Sequence, residues 1–166
     1  MANTYTLIQS VTVGSGGTAS IEFTSIPQTY TDLKLVLSGR RAGTLPTGMY
    51  VTFNGSTSNF SGIYLYGTGS SAVSGSLARY VGSIGGTDWT ASVFNNTEIY
   101  IPNYTGSTNK SFSADNAAEN NATAAGLNFI AGLWSQTAAI TSIAVAPDTG
   151  DLVQYSSASL YGIKNS

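Results

Sequence analysis

Asp32-Leu33-Lys34-Leu35-Val36-Leu37-Ser38 sets a leucine at every second position. Period two puts the three leucines on one face of an extended strand and Asp32, Lys34, Val36 and Ser38 on the other. The same alternation recurs along the chain. Val51 and Phe53 repeat it, as do Ile63 and Leu65, Ile99 and Ile101, and the longer set Leu127, Phe129, Ala131 and Leu133. In an antiparallel sheet, one-sided alternation means one buried face and one face toward solvent or a partner. Further strand-like runs cover residues 6–13, 19–24, 77–84, 110–114, 140–145 and 159–164. About ten strands at this spacing predict an all-β, antiparallel sandwich of the jelly-roll type.

Helix signals are missing. No apolar set at i, i+3, i+4 and i+7 is sustained behind a cap. Residues 114–125 hold several alanines, but Asn116, Asn120 and Asn121 favour turns, so this stretch reads as a loop or a single helical turn. Gly14-Ser15-Gly16-Gly17 reads as a hairpin between the first two strands, and Asn54-Gly55 as a tight turn. The low-charge stretch 55–86 has room for a long connection between sheets. With no linker and no shift in composition, residues 1–166 are expected to form a single domain.

Composition narrows the function. Only 8% of the 166 residues are charged, and there is no histidine or cysteine. A typical soluble domain is about 25% charged. Ser, Thr, Asn and Gly make up the difference, giving a polar surface that does little to repel neighbours. The missing histidine and cysteine remove the commonest acid–base, nucleophilic and metal-binding groups. A structural or binding protein is expected, with no enzyme activity, no catalytic residues, no cofactor and no bound metal. A net charge of −2 and scattered basic residues argue against nucleic acid. No apolar run reaches the roughly 18 residues of a membrane helix. Met1-Ala2-Asn3-Thr4 lacks the features of a signal peptide, so synthesis in a cytoplasm is expected.

Candidate sites are few. The eight acids show no spacing that marks a catalytic pair. Asp148-Thr149-Gly150-Asp151 could offer oxygen ligands to Ca²⁺, but too few of them, and it reads better as a turn. Tyr64 and Tyr66 flank Leu65 and should point away from its face. An exposed aromatic pair of this kind suits a sugar or protein surface. Trp134 ends an apolar run and reads as core. Arg40 and Arg41 could grip a partner's carboxylate, although a solvated strand end is the plainer reading. Arg40, Arg41, Tyr64 and Tyr66 are therefore the candidate interaction surface.

Several segments taken together resemble a recurrent pattern. Phe23-Thr24-Ser25-Ile26-Pro27-Gln28-Thr29-Tyr30-Thr31-Asp32-Leu33 is followed by alternating leucines and Arg40. Val51-Thr52-Phe53-Asn54-Gly55 comes next, then Ile101-Pro102-Asn103-Tyr104 with Lys110 beyond it. The close is Ala158-Ser159-Leu160-Tyr161-Gly162-Ile163-Lys164. From about Ala19 onward the chain resembles virion structural proteins of tailed bacteriophages, especially marine and cyanobacterial phages. That resemblance implies a β-sandwich without catalysis, located in the virion. The group includes capsid decoration proteins and tail or fibre proteins, and the expectation here is a capsid decoration or cement protein that binds the major capsid protein or other virion proteins and, with so few surface charges, self-associates, as a trimer by the symmetry habits of viral lattices. The alternative is a tail-fibre or receptor-binding module that recognises host glycans. The absence of heptads for a shaft favours decoration.

Overall fold

The computed structural model describes residues 4–122 and 125–164. Among them are twelve strands and no helix. They are β1 (Tyr5–Thr12), β2 (Ile21–Phe23), β3 (Asp32–Gly39), β4 (Thr47–Phe53), β5 (Phe60–Gly67), β6 (Ala72–Ser76), β7 (Tyr80–Ile84), β8 (Asn95–Ile101), β9 (Lys110–Glu119), β10 (Ala125–Trp134), β11 (Ile143–Pro147) and β12 (Ser157–Ile163). Eight form one antiparallel sheet in the order β1-β12-β3-β8-β9-β10-β5-β6, and four form a second in the order β2-β11-β4-β7.

With β9, β10, β5 and β6 set aside, the wide sheet runs β1-β12-β3-β8 and the narrow one β2-β11-β4-β7. Early strands are laid beside late ones in each layer, and the chain crosses between layers at nearly every step. This is the jelly-roll arrangement. Two hairpins are added to it. β5–β6 falls between β4 and β7 in sequence, and β9–β10 between β8 and β11. Both join the same edge and carry the wide sheet past β8.

The core lies between the layers. Leu33, Leu35, Leu37, Ile99, Ile101 and Leu160 from the wide sheet meet Phe23, Met49, Val51, Phe53, Ile143 and Val145 from the narrow one, all of them buried. An aromatic cluster fills one end of the sandwich. Phe53 packs edge-on to Phe112 and Trp134, each at 5.7 Å between ring centres, and Phe60 stacks on Trp134 at 6.0 Å. Such ring pairs stabilise beyond their buried area.

The segments that carry the bacteriophage resemblance brace this frame. Asp32 accepts from the Tyr100 hydroxyl at 2.7 Å and the Asn103 amide at 2.9 Å. That bond pushes the Tyr100 hydroxyl up to about 12, with burial adding to it. The Tyr104 hydroxyl donates to the Pro27 carbonyl. Asn54, in the left-handed region at φ 52°, accepts from the amides of Thr141 and Ser142 and donates to the Ala139 carbonyl. Lys110 is buried, and its ammonium donates to the carbonyls of Gly106, Thr108 and Thr137. Burial lowers its pKa.

Four local expectations are corrected. The strand expected over 110–114 runs on to residue 119, so 115–119 are strand, not loop or helical turn, while 123–124 of that expected loop lie outside the described residues. Lys110, Phe112, Ala114, Asn116 and Ala118 face inward, so period two overrides the turn preference of asparagine. Stretch 55–86 holds three strands, including β6, which no alternation marked. Gly14–Gly17 is a turn but not a hairpin, because β1 pairs with β12 and β2 with β11. The fourth concerns β5 and β10. Their alternation is real, but Ile63 and Phe129 are 63% and 60% exposed, and Leu65 and Leu127 are exposed as well. The alternate residues face inward instead.

Leu35 is fully buried on β3, and Lys34 points to the other face. Leu35→Ala should destabilise by about 2–5 kcal/mol, through lost burial and a residual cavity. Lys34→Ala, which breaks one exposed ion pair, should cost about 1 kcal/mol or less. Chemical denaturation of the two variants checks the difference.

Candidate functional site

Because the wide sheet outruns its partner, part of its inner face has no strand above it. β7 is the last strand of the narrow sheet and packs on β8, β9 and β10. The inner face of β5 and β6 lies beyond it. A cleft of about 410 Å³ opens there. Tyr64 and Tyr66 of β5 and Asn128 of β10 lie along its base, and Tyr50, Tyr80 and Trp89 belong to its walls.

Glycines make room for the tyrosines. Gly75 pairs with Tyr64 across β5 and β6, and a Cβ on it would sit 2.7 Å from the Tyr64 hydroxyl. A Cβ on Gly126 would sit 2.5 Å from the ring of Tyr66. Each ring therefore lies down against the sheet over a position that has no side chain. Tyr64 also leans on Tyr80, with ring centres 5.4 Å apart, and Tyr80 meets Tyr50 edge-on at 6.1 Å. The Arg79 guanidinium sits 5.3 Å from the centre of the Tyr50 ring, within cation–π range.

Neutral polar groups close the inner end of the cleft. The Tyr80 hydroxyl donates to Asn128 Oδ1 at 2.9 Å. Asn128 Nδ2 donates to Asn116 Oδ1 at 3.0 Å and to Ser83 Oγ at 3.2 Å. Asn116 Oδ1 also accepts from the Ser83 amide, and its Nδ2 reaches the Ser83 and Asn96 carbonyls and Thr97 Oγ1. Gly82, at φ 130°, allows this approach, since a Cβ there would lie 2.4 Å from that of Asn116. Burial pushes the Tyr80 hydroxyl up to about 12 and raises that of Tyr50, so both stay protonated near neutral pH.

Of the four expected surface residues, Tyr64 and Tyr66 share the cleft, half-buried rather than free on an outer face. Arg40 and Arg41 do not join them. Each is only 8% exposed, so the expectation of a solvated strand end is corrected. Arg40 donates to the carbonyls of Trp89, Thr90 and Val93, at 3.1, 2.6 and 3.2 Å. A guanidinium is buried here because backbone carbonyls take up its donors. Arg41 donates to the Leu45 carbonyl. Arg40 thus holds the loop that carries Trp89 to the cleft.

The opposite face of β5 and β10 is an apolar patch. Phe129 stands beside Leu65 and Ala131 beside Ile63 across the strand pair, with Leu127 next along β10. Away from the patch this outer face mixes small polar residues, Ser159, Ser38, Asn96 and Ser113, with Tyr161, Val36 and Tyr100, and with Tyr5 and Leu7 on the edge strand β1. Its central charges are Lys34, bound to Glu98 at 2.6 Å, and Asp115, the cross-strand neighbour of Glu98. Burial and then Glu98 raise the Asp115 pKa, and Lys34 opposes them. Glu98 and Asp115 are thus brought together, but on an open sheet face and with Glu98 tied to Lys34.

Asp148-Thr149-Gly150-Asp151 turns out of β11, with Gly150 at φ 74° and the Asp148 amide bonded to the Gly48 carbonyl. A Cβ on Gly150 would lie 2.3 Å from the Ala42 carbonyl oxygen, which accounts for the glycine. Among the described residues, no three carboxylates gather where a metal could be held. Trp89 was among the aromatics that the sequence offered as sugar-stacking platforms, but sequence reasoning singled out neither Tyr50 and Tyr80 nor Asn116 and Asn128 as site residues. The alternation through 110–119 was the available signal for Asn116. Comparison with protein-family models, curated proteins and solved structures finds no match.

Arg40→Ala should leave the core intact and loosen the Trp89 loop. Hydrogen exchange at the amides of Trp89 and Val93 should speed up by about tenfold or more, given roughly 1.5–3 kcal/mol for a charged hydrogen bond. Exchange at Leu35 and Ile99 should change far less.

Proposed function

We propose that this protein is a non-enzymatic structural component of a tailed-bacteriophage virion, a decoration protein on the outer surface of the major capsid protein lattice. The observation that carries this reading is the outer face of the wide sheet. It sets Ile63, Leu65, Leu127 and Phe129 side by side in the open. Contiguous exposed apolar residues with a polar surround mark interaction surfaces. Few charges have to be stripped of water when such a face is covered, and its hydroxyls and amides can bond across an interface. The jelly roll is also common among capsid proteins, although fold analogy alone does not assign function.

Self-association as a trimer belongs to the same proposal. Contact through the face is favoured over pairing at the sheet edges. β1 carries a bulge at Leu7–Gln9 and β6 has five residues, and both features discourage edge pairing. The second reading, a receptor-binding module for host glycans, is favoured by the tyrosine cleft.

The test adds purified protein to capsids that lack it, then examines pellets and micrographs. Wild-type protein should bind in order at three-fold lattice positions. Leu65→Asp and Phe129→Asp should lose binding with melting temperatures close to wild type, because both sites are exposed. Tyr66→Ala, on the other face, should still bind. Bare capsids with folded wild-type protein contradict the proposal.

A further inference from the structure

We infer that the cleft over β5, β6 and β10 is a binding site for an uncharged saccharide chain. This rests on the glycan-recognition reading and is independent of capsid docking, because cleft and apolar patch lie on opposite faces of the same strands. The occupant is argued from the lining. Tyr50, Tyr64, Tyr66 and Trp89 supply aromatic surface at one opening, and among the described residues no Asp, Glu, Lys or Arg lines it. A charged ligand would therefore find no counter-charge in the lining, the nearby Arg79 guanidinium being engaged on the Tyr50 ring.

A purely apolar ligand fits no better. Among the described residues, the hydroxyls of Tyr50, Tyr64 and Tyr66 make no hydrogen bond to protein, whereas that of Tyr80 is bonded to Asn128. Covering three phenols with hydrocarbon would strip them of water and leave them unpaired, which is costly. A sugar ring meets both demands, since its C–H face stacks on an aromatic ring and its hydroxyls bond to phenols. Tyr64 and Tyr66 stand two residues apart on one strand, about 7 Å along it, so successive sugar units can meet successive rings. The cleft volume falls within the range of about 300–1,000 Å³ usual for small-molecule sites. Gly75 and Gly126 seat the two rings before any ligand arrives, which limits the ordering cost of binding.

The experiment titrates the whole protein with neutral hexasaccharides of α-1,4-glucose, β-1,4-glucose, β-1,4-N-acetylglucosamine and α-1,6-mannose. Calorimetry and tryptophan fluorescence follow binding. Trp89 is at the cleft and Trp134 is buried in the core, so a fluorescence change that disappears in Trp89→Phe locates the ligand. At least one probe should bind saturably. Tyr64→Ala and Tyr66→Ala should each weaken binding about tenfold or more, and Tyr66→Phe, which keeps the ring, should weaken it less. Phe129→Asp should bind sugar as wild type does, even where it no longer binds capsids. Failure of all four probes at millimolar concentration would overturn the inference. So would affinity unchanged in folded Tyr64→Ala and Tyr66→Ala, or binding of an apolar dye in the cleft with no saccharide able to displace it.

Discussion

Four strands cannot cover eight. At about 4.8 Å per strand, the narrow sheet spans roughly 14 Å and the wide one roughly 34 Å. The rest of the structure follows from that mismatch. Where the layers overlap, Leu33, Leu35, Leu37, Ile99 and Leu160 are sealed in an ordinary sandwich core. β7 packs on β8, β9 and β10, and past it the hairpin β5–β6 continues the sheet with less above it. β5 and β10 thus carry a tyrosine cleft on one side and an apolar patch on the other. The jelly roll supplies the rigid part, and the two inserted hairpins supply the surfaces with which it can act.

At the limit of coverage the protein uses amides and hydroxyls rather than ions. Asn116, Asn128, Ser83, Thr97 and Tyr80 satisfy one another where the narrow sheet ends. Neutral groups lose less than ions when taken out of water, provided that their bonds are made. The buried cations follow a related rule, with Lys110 and Arg40 each held by three backbone carbonyls. A chain with so few charges thus keeps four of them inside, Asp32, Arg40, Arg41 and Lys110, and this leaves its surface still poorer in charged groups.

The sequence made the strands legible, but not always which way they face. Leu33, Leu35 and Leu37 are buried as their alternation implies, in the core between the two sheets. Ile63, Leu65, Leu127 and Phe129 alternate just as regularly but point outward. Hydrophobicity ranks them above Tyr64, Tyr66, Asn116 and Asn128, and nothing local shows which face of their strands meets the narrow sheet. Arg40 and Arg41 misled for a similar reason, since the carbonyls that bury Arg40 come from a loop some 50 residues away. Pro27, Asp32, Asn54, Tyr104 and Lys110, which fall in the segments quoted for the resemblance, are hydrogen-bonded braces of the frame.

The central claim is that β5 and β10 turn Leu65 and Phe129 outward and Tyr64, Tyr66 and Asn128 inward. The chain has no cysteine, so single cysteines can be placed at will. The direct measurement is the rate at which a thiol reagent labels Phe129→Cys and Leu65→Cys, compared with Asn128→Cys and Ile130→Cys, in folded protein. The two outer positions should react at close to the rate of an unfolded thiol, and the two inner ones at least about tenfold more slowly, limited by local opening. Fast labelling at 128 and 130 with protection at 65 and 129 would contradict the account.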